Sequence, residues 1–256
     1  MGGDAVVVAG AAVFGLCVGS FLNVCILRLP HDHSLVRPPS SCPNCGHAIA
    51  WRDNIPVLSW LLLKGRCRHC GAPISAQYPI VEALVGLLWV AAVLGYGLTM
   101  QALAAAILGT MLIGIAVTDA RHFLIPNEYT LGGLVIGLAL SVAGGVDGLV
   151  NALLGAAAGF ALLYAVAQVG HWAFKEEAMG GGDIKMMAMV GAFVGWKGVL
   201  LTVFLGALIG SVVFLPLTLK RKRLVPFGVF LAVGAAVAFV AGDVVIQWYL
   251  QFVRGS

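Results

Sequence analysis

Long apolar runs separated by short polar ones make up most of the chain. A helix needs roughly 20 apolar residues to cross a bilayer. The runs predict an all-α, polytopic bundle of about eight transmembrane segments, at 6–27, 80–97, 101–118, 129–143, 148–174, 184–196, 198–219 and 227–249. The run 184–196 is short and reads as a half-span or a tilted crossing. One long polar stretch, 28–79, interrupts the pattern. The expected organisation is a first transmembrane helix (1–27), a small polar module (28–79), a membrane core (80–254) and a terminal Gly255-Ser256 that reads as an expression scar.

Composition agrees with this pattern. Of 256 residues, 61% are hydrophobic and only 10% charged, against about 25% charged in a soluble domain. The basic residues are not spread over a soluble face, so the net charge of +4 does not point to nucleic acid. Their positions instead report orientation. With the N-terminus outside, every Lys and Arg except Lys197 and Arg254 falls in a cytoplasmic loop, including the run Lys220-Arg221-Lys222-Arg223. The first apolar run is not a cleaved signal by this logic, because its first basic residue, Arg28, follows it.

The same parity places two carboxylates at the cytoplasmic end of the bundle. Asp119 ends the third run in "AVTDARHFLIPN", and Asp183 opens the sixth in "MGGGDIKMM". Charges at a membrane boundary are costly and usually have a task. Two carboxylates held together share a proton, so one can act as base towards water while the other polarises a carbonyl. Gly180, Gly181 and Gly182 suit this reading, since glycine permits positive φ and close approach of a substrate backbone. A plainer alternative is that Asp183 is the N-cap of the following helix and Lys185 a snorkelling lysine.

The polar stretch carries "CPNC" and "CRHC": Cys42 and Cys45, then Cys67 and Cys70, with 21 residues between the pairs. A glycine follows each pair, Gly46 and Gly71, as in a zinc knuckle. Four thiolates at this spacing match a tetrahedral structural Zn2+ site. Two disulfides or redox pairs are the alternatives, and His47 or His69 could replace one cysteine. The apolar stretch 55–63 is too short to span a bilayer. It is expected to pack on the metal site or to lie at the membrane interface. A module this small would take most of its folding free energy from the metal.

Taken in order, "GSFLNVCILRLP" (19–30), the two C-x-x-C pairs around "DNIPVLSWLLLKGRCRHC", "YPIVEALVG" (78–86), "TDARHFLIPN" (118–127), "GGGDIK" (180–185) and "PFGVFLAVG" (226–234) resemble one family over essentially the whole chain. It is that of the bifunctional type IV prepilin leader peptidases/N-methyltransferases. The resemblance implies a multi-pass enzyme of the bacterial inner membrane, with its site and zinc module on the cytoplasmic side. It implies cleavage of the basic leader from prepilins and type II secretion pseudopilins, then methylation of the new amino terminus by S-adenosylmethionine. Asp119 and Asp183 take the catalytic positions, the latter in a G-x-G-D signature shared with presenilin-like proteases. Gly180, Gly182 and Lys185 are candidates to meet substrate. Glu82 and Gly86 are candidates to hold the methyl donor, Glu82 by its carboxylate and Gly86 by leaving room on the same helix face; alternatively Glu82 pairs with a base of the zinc module. Two positions depart from the family pattern, which often has Asp at Asn127 and Pro at Val229.

Other functions would leave other marks. A peptidase lacking methyl transfer, and a zinc-dependent membrane scaffold that binds prepilins without cutting them, fit the same helices. A transporter would place its carboxylates near the bilayer midplane.

Overall fold

The computed structural model describes residues 2–175, 179–218 and 225–254. The basic run 220–223 and Gly255-Ser256 lie outside the described residues. Among the described residues there are eight α-helices: α1 (Gly2–Arg28), the short α2 (Leu58–Leu62), α3 (Gln77–Tyr96), α4 (Met100–His122), α5 (Asn127–Ser141), α6 (Gly145–Phe174), α7 (Gly181–Thr218) and α8 (Phe227–Arg254). Apart from two isolated bridge pairs, no strand forms among them.

Six stretches are long and apolar enough to cross a membrane, and two of them each hold two of the eight expected segments. Two of the six contain a break. Residues Asn127–Ala173 hold α5 and α6, joined through a single short turn. Residues Gly181–Phe214 lie within α7, which is two helical segments joined at a kink beside the expected boundary near residue 196. The break in α7 is one residue, Gly195, at φ 69° and ψ 176°. Positive φ at this place asks for glycine. The Asn151 side chain of α6 also occupies the space a Cβ would need, 2.5 Å from its amide nitrogen. Two helical segments therefore meet at Gly195, next to the boundary that the runs 184–196 and 198–219 predict.

The chain divides into two compact units, Met1–Gly114 and Ile115–Ser256. In the first, α1 packs on α3. A Cβ on Gly19 would lie 2.7 Å from the Glu82 Cα, and one on Gly15 would lie 2.8 Å from the Trp89 Cβ. Glycines therefore let these helices touch backbone to side chain, as small residues do in membranes. Buried Asn23 donates to the Tyr78 carbonyl (3.0 Å) and accepts from the Gln77 side chain (3.3 Å). The motifs "GSFLN" and "YPIVEALVG" are thus two sides of one helix contact.

In the second unit, α7 is the central helix and packs on α5, α6 and α8. Gly155 and Gly191 face each other so closely that a Cβ on either would run into the other's backbone, and Gly159 meets Met187 in the same way. On the far side, a Cβ on Gly234 of α8 would lie 2.5 Å from the Thr202 carbonyl. The buried methionines Met186, Met187 and Met189 fill the first half of α7.

Candidate functional site

Asp119 lies in the last turn of α4 and is buried. Asp183 lies in the first turn of α7, two residues after the helix begins, so it is not the N-cap. The Asp183 amide donates to the Gly180 carbonyl (3.2 Å), and the Asp183 carboxyl group accepts from the Gly180 amide. This is the side-chain half of a capping box, with a shorter acid in the third helical position. The two carboxyl groups are close enough to interact electrostatically. Oδ2 of Asp119 and Oδ1 of Asp183 are buried without a hydrogen-bond partner.

A second helix start reaches the pair. The amides of Val229 and Gly228, in the first turn of α8, lie against the Asp119 carboxyl group. First-turn amides have no acceptor within their own helix and carry the positive end of its dipole. Each aspartate therefore meets one helix N-terminus, Asp183 that of α7 and Asp119 that of α8. Ile125 stands between these starts. A Cβ on Gly182 would lie 3.0 Å from its Cβ, and one on Gly228 would lie 2.8 Å from its Cδ1.

The glycines before Asp183 act through space, not conformation. None of Gly180, Gly181 and Gly182 adopts positive φ. Gly182 makes room for Ile125, Gly180 comes within contact distance of Asp183, and Gly181 is open. Lys185 is exposed and donates to the Asn127 side chain (2.9 Å), which clips the start of α5 to the start of α7. Gly228, Val229 and Ile125 were not among the sequence candidates. The stretches "PFGVFLAVG" and "FLIPN" held the signal, but nothing local says that their backbones meet the carboxyl groups.

The four cysteines come together in the first unit, with all four Sγ atoms within 4.8 Å of one another. Cys42 and Cys70 Sγ are 3.8 Å apart. A tetrahedron with Zn–S bonds of about 2.3 Å has edges of about 3.8 Å, so the residues fit a four-cysteine zinc site. All four are free thiols, not disulfides. Each half is built alike. The Gly46 amide donates to Cys42 O and the Cys42 amide to His47 O; the Gly71 amide donates to Cys67 O and the Cys67 amide to Ala72 O. Ile49 donates to Ser40 O and Ile74 to Gly65 O. Gly46 and Gly71 both have positive φ, as the knuckle reading requires. The sequence shows no convincing repeat, yet "SCPNCGHAI" and "RCRHCGAPI" are one turn made twice.

Thiol chemistry there suits a cation. The Cys45 and Asn44 amides hold the Cys42 thiol below its ordinary range. The Ala72 amide and the Asn44 side chain bring Cys70 to about 6. For Cys45 the His47 amide pulls down, but burial and the neighbouring sulfurs push it up to about 11. Four sulfurs so close cannot all lose their protons unless a positive ion joins them. His47 and His69 lie ring against ring (centroids 3.5 Å), beside the sulfurs.

Glu82 is buried in α3 and ties this module down. Its Oε2 accepts from the Val57 amide (2.7 Å), and Ser20 of α1 bonds to the same carboxyl group. Val57, a β-branched residue at φ 61°, is the residue before α2. The partner from the module is thus a backbone amide, not a basic side chain. Space beside Gly86 is filled by Leu16, 3.0 Å from where its Cβ would be. Trp60 of α2 donates to Ile74 O (3.1 Å), so this helix packs on the second knuckle, while Leu61 and Leu62 stay exposed.

Comparison with known proteins agrees with these two units. Residues 13–96 match the bacterial peptidase A24 N-terminal domain, and residues 106–215 match the type IV leader peptidase family. A prepilin leader peptidase/N-methyltransferase of Myxococcus xanthus is 45% identical over 84% of the chain, which spans 64% of that protein. One of Aeromonas hydrophila is 37% identical over 93% of the chain and 92% of its own length. One of Xanthomonas campestris is 37% identical over 94% of both. No solved structure matches. The chain belongs to the type IV leader peptidase family, as a multi-pass helical member with a four-cysteine cluster between its first two spans.

Proposed function

We propose that this protein removes the basic leader of prepilins and pseudopilins with Asp119 and Asp183, and methylates the new amino terminus. The observation that carries this reading is the meeting of two carboxyl groups, each with one buried oxygen free of hydrogen bonds. Relatives named for both activities, at 36–37% identity over nine-tenths of the chain, support the substrate class and the second reaction.

In this reading a water lies between the free oxygens. One carboxylate takes its proton while the other, protonated, hydrogen-bonds the scissile carbonyl, so the oxyanion of the tetrahedral intermediate gains a proton. Breaking the C–N bond returns a proton to the amine and leaves a carboxyl group on the leader. The substrate is itself a membrane helix. Its apolar stem enters among the helices and its leader stays at the cytoplasmic surface, with the N-terminus of the enzyme outside. Lys185 then acts by holding α5 to α7 or by meeting the leader.

Methyl transfer from S-adenosylmethionine needs the amine neutral and aligned more than it needs acid or base. We assign this reaction to the first unit. Glu82 serves it by holding the cysteine module on α3 through Val57, rather than through free space at Gly86. Cys42, Cys45, Cys67 and Cys70 would hold one Zn2+, which supplies rigidity and no chemistry. The test is mass spectrometry of a prepilin incubated with the enzyme, with and without S-adenosylmethionine. Loss of the leader in both and a methyl group only with the donor is the expected result. Leader loss with no methyl group identifies a peptidase alone, and no cleavage identifies a scaffold.

A further inference from the structure

Gly228 is the second residue of α8, and its Cα faces the Asp119 carboxyl group. A Cβ built there would stand 2.9 Å from Asp119 Oδ2, 3.2 Å from its Cγ and 2.8 Å from the Ile125 Cδ1. The residue does not have positive φ, so its demand for glycine is one of space. Its own amide and that of Val229 lie on the same carboxyl group. The Val229 amide also reaches the Pro226 carbonyl (3.3 Å), which fixes the first turn of α8 against the aspartate. Oδ2, the oxygen a methyl group would strike, is the one without a hydrogen-bond partner. By contrast, a Cβ on Gly132 of α5 would meet nothing within 4 Å.

We propose that Gly228 is a positioning residue for peptide cleavage: the side chain it lacks lets the α8 start hold the Asp119 carboxyl group and leaves Oδ2 open. This rests on the reading of Asp119 as half of the catalytic pair. An alanine there turns or displaces the carboxyl group without removing it. A displacement of about 1 Å in a reacting group can cost on the order of a hundredfold in rate.

The experiment compares Gly228→Ala, Gly132→Ala, Asp119→Asn, Ile125→Val and the double variant Gly228→Ala/Ile125→Val, purified in detergent, in a prepilin cleavage assay. Thermal unfolding is measured in parallel. Gly228→Ala is expected to lower kcat by roughly 30-fold to 100-fold with KM within about threefold, while Gly132→Ala cleaves like the parent. Ile125→Val removes the Cδ1 half of the clash but not the Asp119 half, so the double variant is expected to stay as slow as Gly228→Ala. If Ile125→Val restores the rate, or if Gly228→Ala cleaves normally, the proposal is overturned and the glycine serves packing alone. Failure of Gly228→Ala to fold moves the comparison to the double variant, and failure of both to fold also assigns the glycine to packing. Cleavage by Asp119→Asn at the parent rate would instead overturn the catalytic pair itself.

Discussion

The cysteine cluster and the aspartate pair bring reactive groups together in opposite ways. Each half of the cysteine cluster is a local turn, in which the backbone bonds of Cys42, Gly46 and His47 recur at Cys67, Gly71 and Ala72. Asp119 and Asp183 come from two helices and are completed by a third, and their carboxyl groups share no local turn. The difference follows from charge. Sulfurs around a cation attract it, so two short turns need only be brought side by side. Two carboxyl groups repel when ionised, and only tightly packed helices hold them together.

Changes at the aspartates give the largest effects. Asp119→Asn and Asp183→Asn are each expected to cut leader removal to less than about a hundredth of the parent rate, while the protein still inserts. Mass spectrometry of the pilin product reads this, and methylation of a pre-cleaved pilin peptide should persist. Both reactions stopping together would merge the two regions into one site.

Next come the cysteines. Elemental analysis is expected to find about one zinc per chain, lost on Cys→Ser change at 42, 45, 67 or 70. Methylation should then fall at least as far as cleavage. A variant without metal that methylates normally would leave the module no part in that reaction.

Glu82→Ala removes the acceptor of the Val57 amide. It is expected to cost about 1–3 kcal/mol, the usual cost of stranding a buried donor. Glu82→Gln keeps an acceptor and should cost less. Amide exchange at Val57 and zinc release measure both, and equal behaviour of the two variants would count against the tether.

The smallest effect lies at the Asp53–Arg68 pair, whose Arg68 Nη2 is 2.6 Å from the carboxylate. The Arg68 bond holds the Asp53 carboxyl below its ordinary range. With the folded value depressed, the pair's contribution is complete above the ordinary aspartate range, near pH 4. It is lost as pH falls through the lowered value. Asp53→Asn should therefore slightly speed zinc release at neutral pH, and the difference from the parent should shrink only in strong acid. A gap that closes between pH 7 and 5 would assign the effect to another group.

Much of this was legible in the chain. Apolar run lengths located the helices, because burial in lipid constrains every residue of a span. Two C-x-x-C-Gly stretches announced the metal turns, because their geometry is local. The aspartates showed as a pair by parity and by resemblance to the family. What escaped the sequence is what depends on contact between distant backbones. Gly228 against Asp119, Leu16 in the space at Gly86, and the Val57 amide on Glu82 are set by packing, and no periodicity reports them. The break at Gly195 was legible as a boundary, since the short run 184–196 ends beside it, but nothing in the run says that one residue makes the whole kink.

The close crossing of α6 and α7 has a consequence for genetics. Gly155, Gly159 and Gly191 admit no side chain, since a Cβ at any of them meets the facing backbone. Gly191 lies two turns from Asp183 on the same helix. Under the proposed function, a random screen for strains that no longer process prepilins would recover substitutions at these glycines alongside those at the aspartates. Loss of the phenotype alone would not tell them apart. Protein abundance would, because the glycine alleles are expected to fail in helix association and the aspartate alleles to leave a full complement of uncleaving protein in the membrane.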